Sequence, residues 1–213
     1  MFALLLQLAN GEVRWALSSI GGSTAFFLIV AVLPPLITMR MIAEEARSGV
    51  LEYLLTAPVS DSAVAGGKLL ASITFFAVLW LMLPAYGLLV QVLGAAPDWG
   101  QVIGAYLGAV LLSGLFCSIG LFTSALTSAP TLAAFIAFCI NVMFLVAPSL
   151  RGRIPLMDAR LQEQVFSKVD VIERYQVSFL RGVIDSGHII FFLAWTLGFL
   201  FLTVRLLDMR RWR

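Results

Sequence analysis

The side chains that could do chemistry in this chain are gathered in residues 38–70, the long polar break in the first two-thirds of the sequence. Carboxylates and guanidinium groups at helical spacing can make charge-assisted hydrogen bonds to a second protein. The residues that combine such charges with an apolar helical face are Glu44, Glu45, Arg47, Leu51, Glu52, Leu54 and Leu55. They predict a short amphipathic helix suited to docking; the alternative is a solvated interfacial loop without a partner.

A glycine and a proline mark where helical structure is expected to end within this segment. Gly49 and Pro58 bound its second part, and a proline disfavours helix in the residue that precedes it. Ser60 or Asp61 then has a side chain that can cap the next helix. We therefore expect residues 43–60 to form one functional segment between two apolar helices.

The sequence contains few residues that could form a catalytic site. The run Gly-Gly-Lys-Leu at 66–69 lacks the glycine spacing and the hydroxyl of a phosphate-binding loop, so the chain is not expected to cradle a nucleotide. His188 is the single histidine, and no serine lies in a Gly-x-Ser-x-Gly pattern. Cys117 and Cys139 fall in apolar runs, where we expect small apolar side chains rather than a disulfide or metal ligands. An intramembrane enzyme, the competing class, is disfavoured.

The composition is that of an integral membrane protein. Hydrophobic residues make up 61% of the 213 residues, charged residues make up 12%, and the mean hydropathy is +0.98. Soluble domains are only about 45–50% apolar. The formal charge of +2 gives no reason to expect a nucleic-acid partner. Because the apolar runs lack the buried charges of ion-coupled carriers, a secondary transporter is also disfavoured.

Five apolar segments are each close to the roughly 20 residues that a helix needs to cross the hydrocarbon. The repeated alternating segments of a barrel are missing from the sequence, so each run is predicted to be a helix. Pro97 and Pro130 suit helix starts. The prediction is an all-α polytopic fold with spans at residues 22–41, 69–93, 102–126, 131–150 and 188–206.

Basic residues predict how these spans are oriented. Residues 205–213 carry four arginines and residues 40–68 carry three cations, so the positive-inside rule puts both on the cytoplasmic side. Five spans then put the N-terminus outside. Residues 151–187 carry six cations and also fall outside in this orientation, which opposes the rule.

Residues 151–187 are predicted to contain an outer amphipathic helix or a pair of helices. Apolar residues recur mostly three or four positions apart between charged ones. They are Leu161, Val165, Val169, Ile172, Phe179 and Val183. We expect this stripe to lie on the outer membrane surface; the alternative is a solvated loop docked on the helix ends.

Small residues inside the spans are expected to pack helices together. They are Ser72, Thr74, Ser113, Ser118, Thr123, Ser124, Gly104, Gly108, Gly114 and Gly120. Asn141 is the expected exception, because a primary amide in hydrocarbon must find a partner across a helix interface or in a cavity. Pro34 and Pro35 are expected to kink their helix.

The pattern Glu-Glu-x-x-Ser-Gly-x-Leu-Glu-x-Leu-Leu-Thr-x-Pro-Val-Ser, from Glu44 to Ser60, resembles the cytoplasmic coupling segment of ABC-2 type permeases. The Arg-Gly-Val-Ile-Asp run at 181–185, the basic tail and the Pro-Asp-Trp-Gly run at 97–100 are also similar to that family. The sequence looks most like the gliding-motility-type and copper-processing-type permeases. The resemblance covers most of residues 30–213.

This resemblance implies a permease subunit of an exporter in the bacterial cytoplasmic membrane. It would work as a homodimer or heterodimer with a separate ABC ATPase subunit, and an auxiliary membrane subunit is compatible with it. The ATPase would bind ATP and magnesium, so the chain needs no cofactor of its own. Its residues from Glu44 to Pro58 would transmit the motion of the ATPase.

The resemblance also implies one transmembrane domain over residues 1–213. Residues 43–60 would be its cytoplasmic coupling segment, and residues 151–187 an extracytoplasmic helical loop. Such permeases usually have six spans, so we expect most of the first span to be missing here. A non-transporting scaffold subunit shares every one of these features and is the alternative function.

The predicted orientation can be checked by labelling a single cysteine. In a background that lacks Cys117 and Cys139, a cysteine at Ser167 is expected to react with a membrane-impermeant maleimide added to intact cells. Reaction only after the inner face is opened would reverse the orientation.

Overall fold

The computed structural model describes residues 22–51, 53, 59–92, 94, 96–150 and 170–211. Of these residues, 86% are helical and none lies in a strand. Five helices in this part of the chain are long and apolar enough to cross a membrane, which confirms the predicted all-α polytopic fold. In chain order, spans 1 to 5 are Thr24–Ser48, Asp61–Val92, Trp99–Leu126, Pro130–Ser149 and Ser186–Arg210.

Turns divide some of these spans into separate helices. Among the described residues, the α-helices with defined bounds are α1 (Thr24–Thr38), α2 (Ala43–Ser48), α3 (Asp61–Trp80), α4 (Met82–Val92), α5 (Trp99–Leu126), α6 (Pro130–Val146), α7 (Val171–Val177) and α8 (Ser186–Arg211). Two 3₁₀ turns follow α6 and α7, at Ala147–Leu150 and Phe179–Arg181. Span 1 therefore comprises α1 and the short helix α2, and span 2 comprises α3 and α4.

Two helices begin at residues whose types favour a helix N-terminus. The side chain of Ser60 accepts the N–H of Ala63 at 3.3 Å, which confirms it as the cap of α3. Pro130 is the first residue of α6, where the missing proline N–H has no intrahelical acceptor to lose. Helix α3 begins at Asp61 rather than at the predicted residue 69, because its polar first turns continue the same helix.

Span 3 is the centre of the bundle. In its most apolar 18-residue stretch, 72% of the residues are buried inside the protein, against 28% in span 2 and 17% in span 5. Its helix contacts all four of the other spans. Trp80 of span 2 donates its indole N–H to the hydroxyl of Ser113 in span 3, at 2.9 Å. Span 3 is therefore the helix through which the other four spans are packed together.

Helix α7 and the 3₁₀ turn after it pack into the bundle. Tyr175 and Phe179 are fully buried, and the ring of Phe26 in span 1 stacks on Tyr175 with a centroid distance of 5.2 Å. The Tyr175 hydroxyl donates to the carbonyl of Ala105 at 3.4 Å, and burial raises the pKa of this tyrosine. The aromatic side chains of this part of the segment fill space inside the bundle, as expected for a segment docked on the helix ends, and its position on the outer membrane surface stays a prediction. Residues 151–169 lie outside the described residues.

Two glycines of span 3 make room for this segment. A Cβ atom on Gly104 would lie 2.3 Å from the carbonyl oxygen of Phe179, and one on Gly108 would lie 2.7 Å from the Phe179 ring. The pair does pack closely, as predicted. Its partner is the 3₁₀ turn, however, and not another spanning helix.

Asn141 of span 4 bonds a carbonyl that a proline leaves open in span 1. Pro35 has no N–H, so the carbonyl of Ala31, four residues earlier, loses its helical donor. The side-chain amide of Asn141 donates to this carbonyl at 3.2 Å, and Asn141 is fully buried. The prediction that Asn141 finds a partner across a helix interface is confirmed.

Replacing Gly104 with alanine tests the packing of the 3₁₀ turn. The new methyl would meet backbone rather than a flexible side chain, so we expect the free energy of unfolding to fall by about 1–3 kcal/mol, as in overpacked cores. Gly114→Ala is the matched control on the same helix, because its Cβ would meet Ile73 at 3.5 Å, an ordinary contact. Unfolding of both variants in detergent measures the difference, and equal stabilities would contradict the close contact.

Candidate functional site

The described part of the predicted coupling segment lies where span 1 ends, span 2 begins and span 3 ends. Span 1 does not continue as one helix here. After α1 the chain turns through residues 39–42 and then forms α2, which has six residues. A helix of this length makes few bonds within itself. Its position therefore depends on contacts with the neighbouring spans.

The hydroxyl of Ser124, near the end of span 3, forms hydrogen bonds at both ends of this turn. Its hydroxyl oxygen accepts the N–H of Ile42 at 3.1 Å and that of Ala43 at 2.9 Å. The same hydroxyl donates to the carbonyl of Met39 at 2.9 Å. Ile42 is the N-cap residue of α2 and its own side chain makes no capping bond. Span 3 thus supplies the cap of α2 from a distant part of the chain.

A close contact between Gly120 of span 3 and the side chain of Thr38 in span 1 supports this arrangement. A Cβ atom on Gly120 would lie 2.0 Å from the hydroxyl oxygen of Thr38, so no larger residue fits there without a shift. Thr38 is fully buried and donates its hydroxyl to the carbonyl of Pro34 at 2.8 Å. Gly120 and Ser124, one helical turn apart, therefore hold the end of span 1 on the same face of span 3.

Lys68 of span 2 forms the second attachment. Its ammonium group lies 2.5 Å from a carboxylate oxygen of Glu45 on α2, and it also donates to the carbonyl of Met41 in the turn. Both charged side chains are largely shielded from solvent. Ser72, one turn along span 2, donates to the carbonyl of Lys68 at 2.9 Å. The turn and α2 are thus bonded to spans 2 and 3 together.

The charged residues of α2 divide into an inner and an outer set. Glu45 points to Lys68, whereas Glu44 and Arg47 are exposed. Glu44 lies 3.8 Å from Arg40, and both of these side chains are more than half exposed. A pair of this kind contributes little to stability. The outer charges are therefore free of strong bonds within this part of the structure and accessible to a partner.

Past α2, Leu51 is the one residue of the predicted apolar face that lies among the described residues. Gly49 ends the helix with φ of 77°, a left-handed conformation that favours glycine. Leu51 is only 4% exposed and packs into the chain's own core, whereas Tyr53 is 80% exposed. Four of the predicted coupling residues lie outside the described residues: Glu52, Leu54, Leu55 and Pro58.

Sequence reasoning missed Lys68 and Ser124 as parts of this site. In the sequence, Lys68 lies in a run that resembles part of a phosphate-binding loop and adds to the cations of residues 40–68, and Ser124 is one of the small residues expected to pack helices. The available signal for Lys68 was its place at the start of an apolar helix, where a cation needs a nearby carboxylate. For Ser124 the signal was weaker, because a serine four residues after a glycine also occurs in ordinary helix packing.

This arrangement is suited to holding and moving a helix. Within the part of the chain that the structure describes, no three His, Cys, Asp or Glu side chains are grouped closely enough to hold a metal ion. The bonds at α2 join backbone groups, one ion pair and one hydroxyl. Such bonds can pass a displacement from an exposed surface to the spanning helices.

The fold and this site define the class: a multi-pass α-helical membrane protein with a charged segment bonded to the end of its bundle. The family model described as ABC-2 family transporter protein matches residues 6–169, well over half of the chain. The chain therefore belongs to the ABC-2 transporter family, whose permeases generally dimerise and work with an ABC ATPase. No curated protein matches the chain. The likeness to the gliding-motility-type and copper-processing-type permeases is not supported by this match and stays a prediction.

The Glu45–Lys68 pair can be tested with a double-mutant cycle. We expect Glu45→Gln and Lys68→Met to show a coupling energy of about 0.5–3 kcal/mol for unfolding in detergent, because their charges are partly shielded from water. The matched control is the exposed pair, with Arg40→Gln and Glu44→Gln, where we expect about 0.5 kcal/mol or less. Coupling energies of the same size in the two cycles would contradict the distinction.

Proposed function

We propose that this chain is the permease subunit of an ABC-2 type exporter, driven by ATP hydrolysis in a separate ATPase subunit. One observation carries the proposal: α2 presents charges outward while its other side is bonded to spans 2 and 3. A partner that docks on α2 and changes shape would pull on both membrane helices. Membership of the ABC-2 family supports this assignment.

The docking surface that we propose consists of Glu44, Arg47, Val50 and Tyr53. All four side chains are exposed, and they combine opposite charges with an aromatic ring, a mixture common in protein interfaces. Charge-assisted bonds from Glu44 and Arg47 would orient the ATPase, and Tyr53 would supply buried apolar area. From their sequence pattern, Glu52, Leu54 and Leu55 extend the proposed contact toward Pro58.

The docking surface is proposed to face the cytoplasm of a bacterial cell. Spans alternate in direction, so span 5 ends on the same side of the membrane as span 1. Arg205 and Arg210 at the end of span 5 add to the cations near α2. The positive-inside rule then supports a cytoplasmic position for both, where ATP is available.

A second permease protomer is proposed to complete the transport path. The centre of one chain is filled by large buried side chains of span 3, including Leu112, Leu115, Phe116 and Ile119. This filling supports a path between protomers instead of one through a single chain. The runs at 44–60 and 181–185 support a gliding-motility-type exporter within the family.

Inverting one exposed charge of the docking surface tests the proposal. We expect Arg47→Glu to weaken binding of the ATPase subunit about tenfold or more, since a charge-assisted bond contributes about 1.5–3 kcal/mol. Soluble ABC ATPase subunits of the source genome would be co-expressed one at a time with the tagged permease. Co-purification identifies the partner, and ATPase activity in proteoliposomes measures the response.

Arg181→Glu is the matched control, because Arg181 is also exposed but lies between the inserted helix α7 and the start of span 5. It should leave binding and ATPase activity unchanged. If no ATPase co-purifies with the unmodified chain, or if Arg47→Glu binds as tightly as the control, the docking assignment fails. The scaffold function would then be the better account.

A further inference from the structure

We propose that Ser124 is a positioning residue that couples α2 to span 3, so that displacement of α2 by a docked ATPase moves the central helix. The inference rests on the proposed function and adds the route by which motion leaves the docking surface. It assigns to one buried hydroxyl a task that helix packing alone does not require.

The bonds of Ser124 use the full capacity of its side chain. A serine hydroxyl has one hydrogen to donate and two lone pairs to accept. All three are engaged, and all three partners are backbone groups of Met39, Ile42 and Ala43. No side chain of α2 can rotate to release this contact, because none takes part in it. Motion of the α2 backbone must therefore move Ser124 or break its bonds.

The backbone around α2 has few alternative partners. The N–H of Met41 donates to Thr38, that of Glu44 to Arg40, and that of Ala46 to Ile42. The N–H groups of Ile42 and Ala43 are the ones that go to Ser124. Ser124 is fully buried, so water cannot readily replace it. Detaching α2 from span 3 would leave these two donors unpaired at a cost to the free energy.

Ser118 shows the contrast on the same helix. It is a buried serine like Ser124, but its hydroxyl donates to the carbonyl of Leu115 within span 3. Such a bond stays inside one helix and cannot pass motion between helices. Substituting each serine in turn therefore distinguishes a loss of coupling between helices from the general effect of deleting a buried hydroxyl.

The contact at Gly120 makes the junction stiff. A backbone that leaves no room for a Cβ atom beside Thr38 cannot slide far without a clash. Lys68 adds an attachment to span 2, through Glu45 and the carbonyl of Met41, but both of its bonds depend on one long, flexible side chain. Ser124 is thus the shorter and stiffer link, and it leads to the helix that contacts all the others.

The first test compares Ser124→Ala with Ser118→Ala in proteoliposomes that contain the co-purifying ATPase subunit. Both variants delete one buried hydroxyl from span 3. We expect Ser124→Ala to keep the affinity for the ATPase but to lower its stimulation of ATP hydrolysis about tenfold, because losing more than one buried hydrogen bond shifts an equilibrium by that order. Ser118→Ala should keep both binding and stimulation.

The second test measures the junction directly. Nitroxide labels at Ser48→Cys on α2 and Leu126→Cys at the end of span 3 report their separation by pulsed electron resonance, in a Cys139→Ala background that keeps the buried Cys117. With Ser124 present, the distance distribution should be the same with ADP as with ATP and vanadate. With Ser124→Ala, the distribution should broaden or shift when ATP and vanadate are added.

The results for Ser124→Ala distinguish transmission of motion from a role in the docking surface or no role. If Ser124→Ala loses affinity for the ATPase, the residue shapes the docking surface and the transmission assignment is wrong. If it keeps both stimulation and an unchanged distance distribution, the route runs elsewhere, and Lys68 is the next residue to test. The docking proposal is judged separately by Arg47→Glu, so it can survive either result.

Discussion

The structure depends on one constraint: backbone groups that are shielded from water must find hydrogen-bond partners within the protein. Span 1 breaks the regular helical pattern at Pro34, at Pro35 and at the turn after Thr38. Asn141 of span 4 bonds the carbonyl left open by Pro35, and Ser124 of span 3 bonds the turn. Two neutral side chains from other spans therefore satisfy backbone groups that the irregular helix cannot satisfy within itself. They also fix where that helix lies.

This constraint explains why small polar residues determine the assembly of such an apolar chain. Burial of leucine and phenylalanine drives little association between helices in lipid, because the acyl chains offer a similar environment. In contrast, a hydroxyl or an amide that bonds an unpaired backbone group of another helix requires one particular position of the two helices. Glycines then allow the helices to approach closely enough for these bonds, as Gly120 does beside Thr38. Span 3 carries several of these residues, which is consistent with its central place.

The sequence was sufficient for the five spans, for a helix cap at Ser60 or Asp61, for the helix start at Pro130, and for the need of Asn141 for a partner. These features depend on local composition or on the chemistry of one side chain. The partners themselves were not predictable, since Ser124 and Ile42 are 82 positions apart and any serine of a span has the same local signature. The stripe in residues 151–187 also omitted Tyr175, the residue that anchors α7, because periodicity does not distinguish a surface contact from insertion between helices.

The charged residues of α2 show the same limit at the candidate site. Glu44 and Glu45 are adjacent, so both fit one charged helical pattern, yet Glu45 bonds Lys68 while Glu44 remains exposed. A helix turns about 100° per residue, which is enough to direct neighbours to different environments. One carboxylate then anchors the helix and the other stays accessible. A short segment can in this way be held by the bundle and still offer charge to a partner, which is the combination that a mechanical link between two subunits requires.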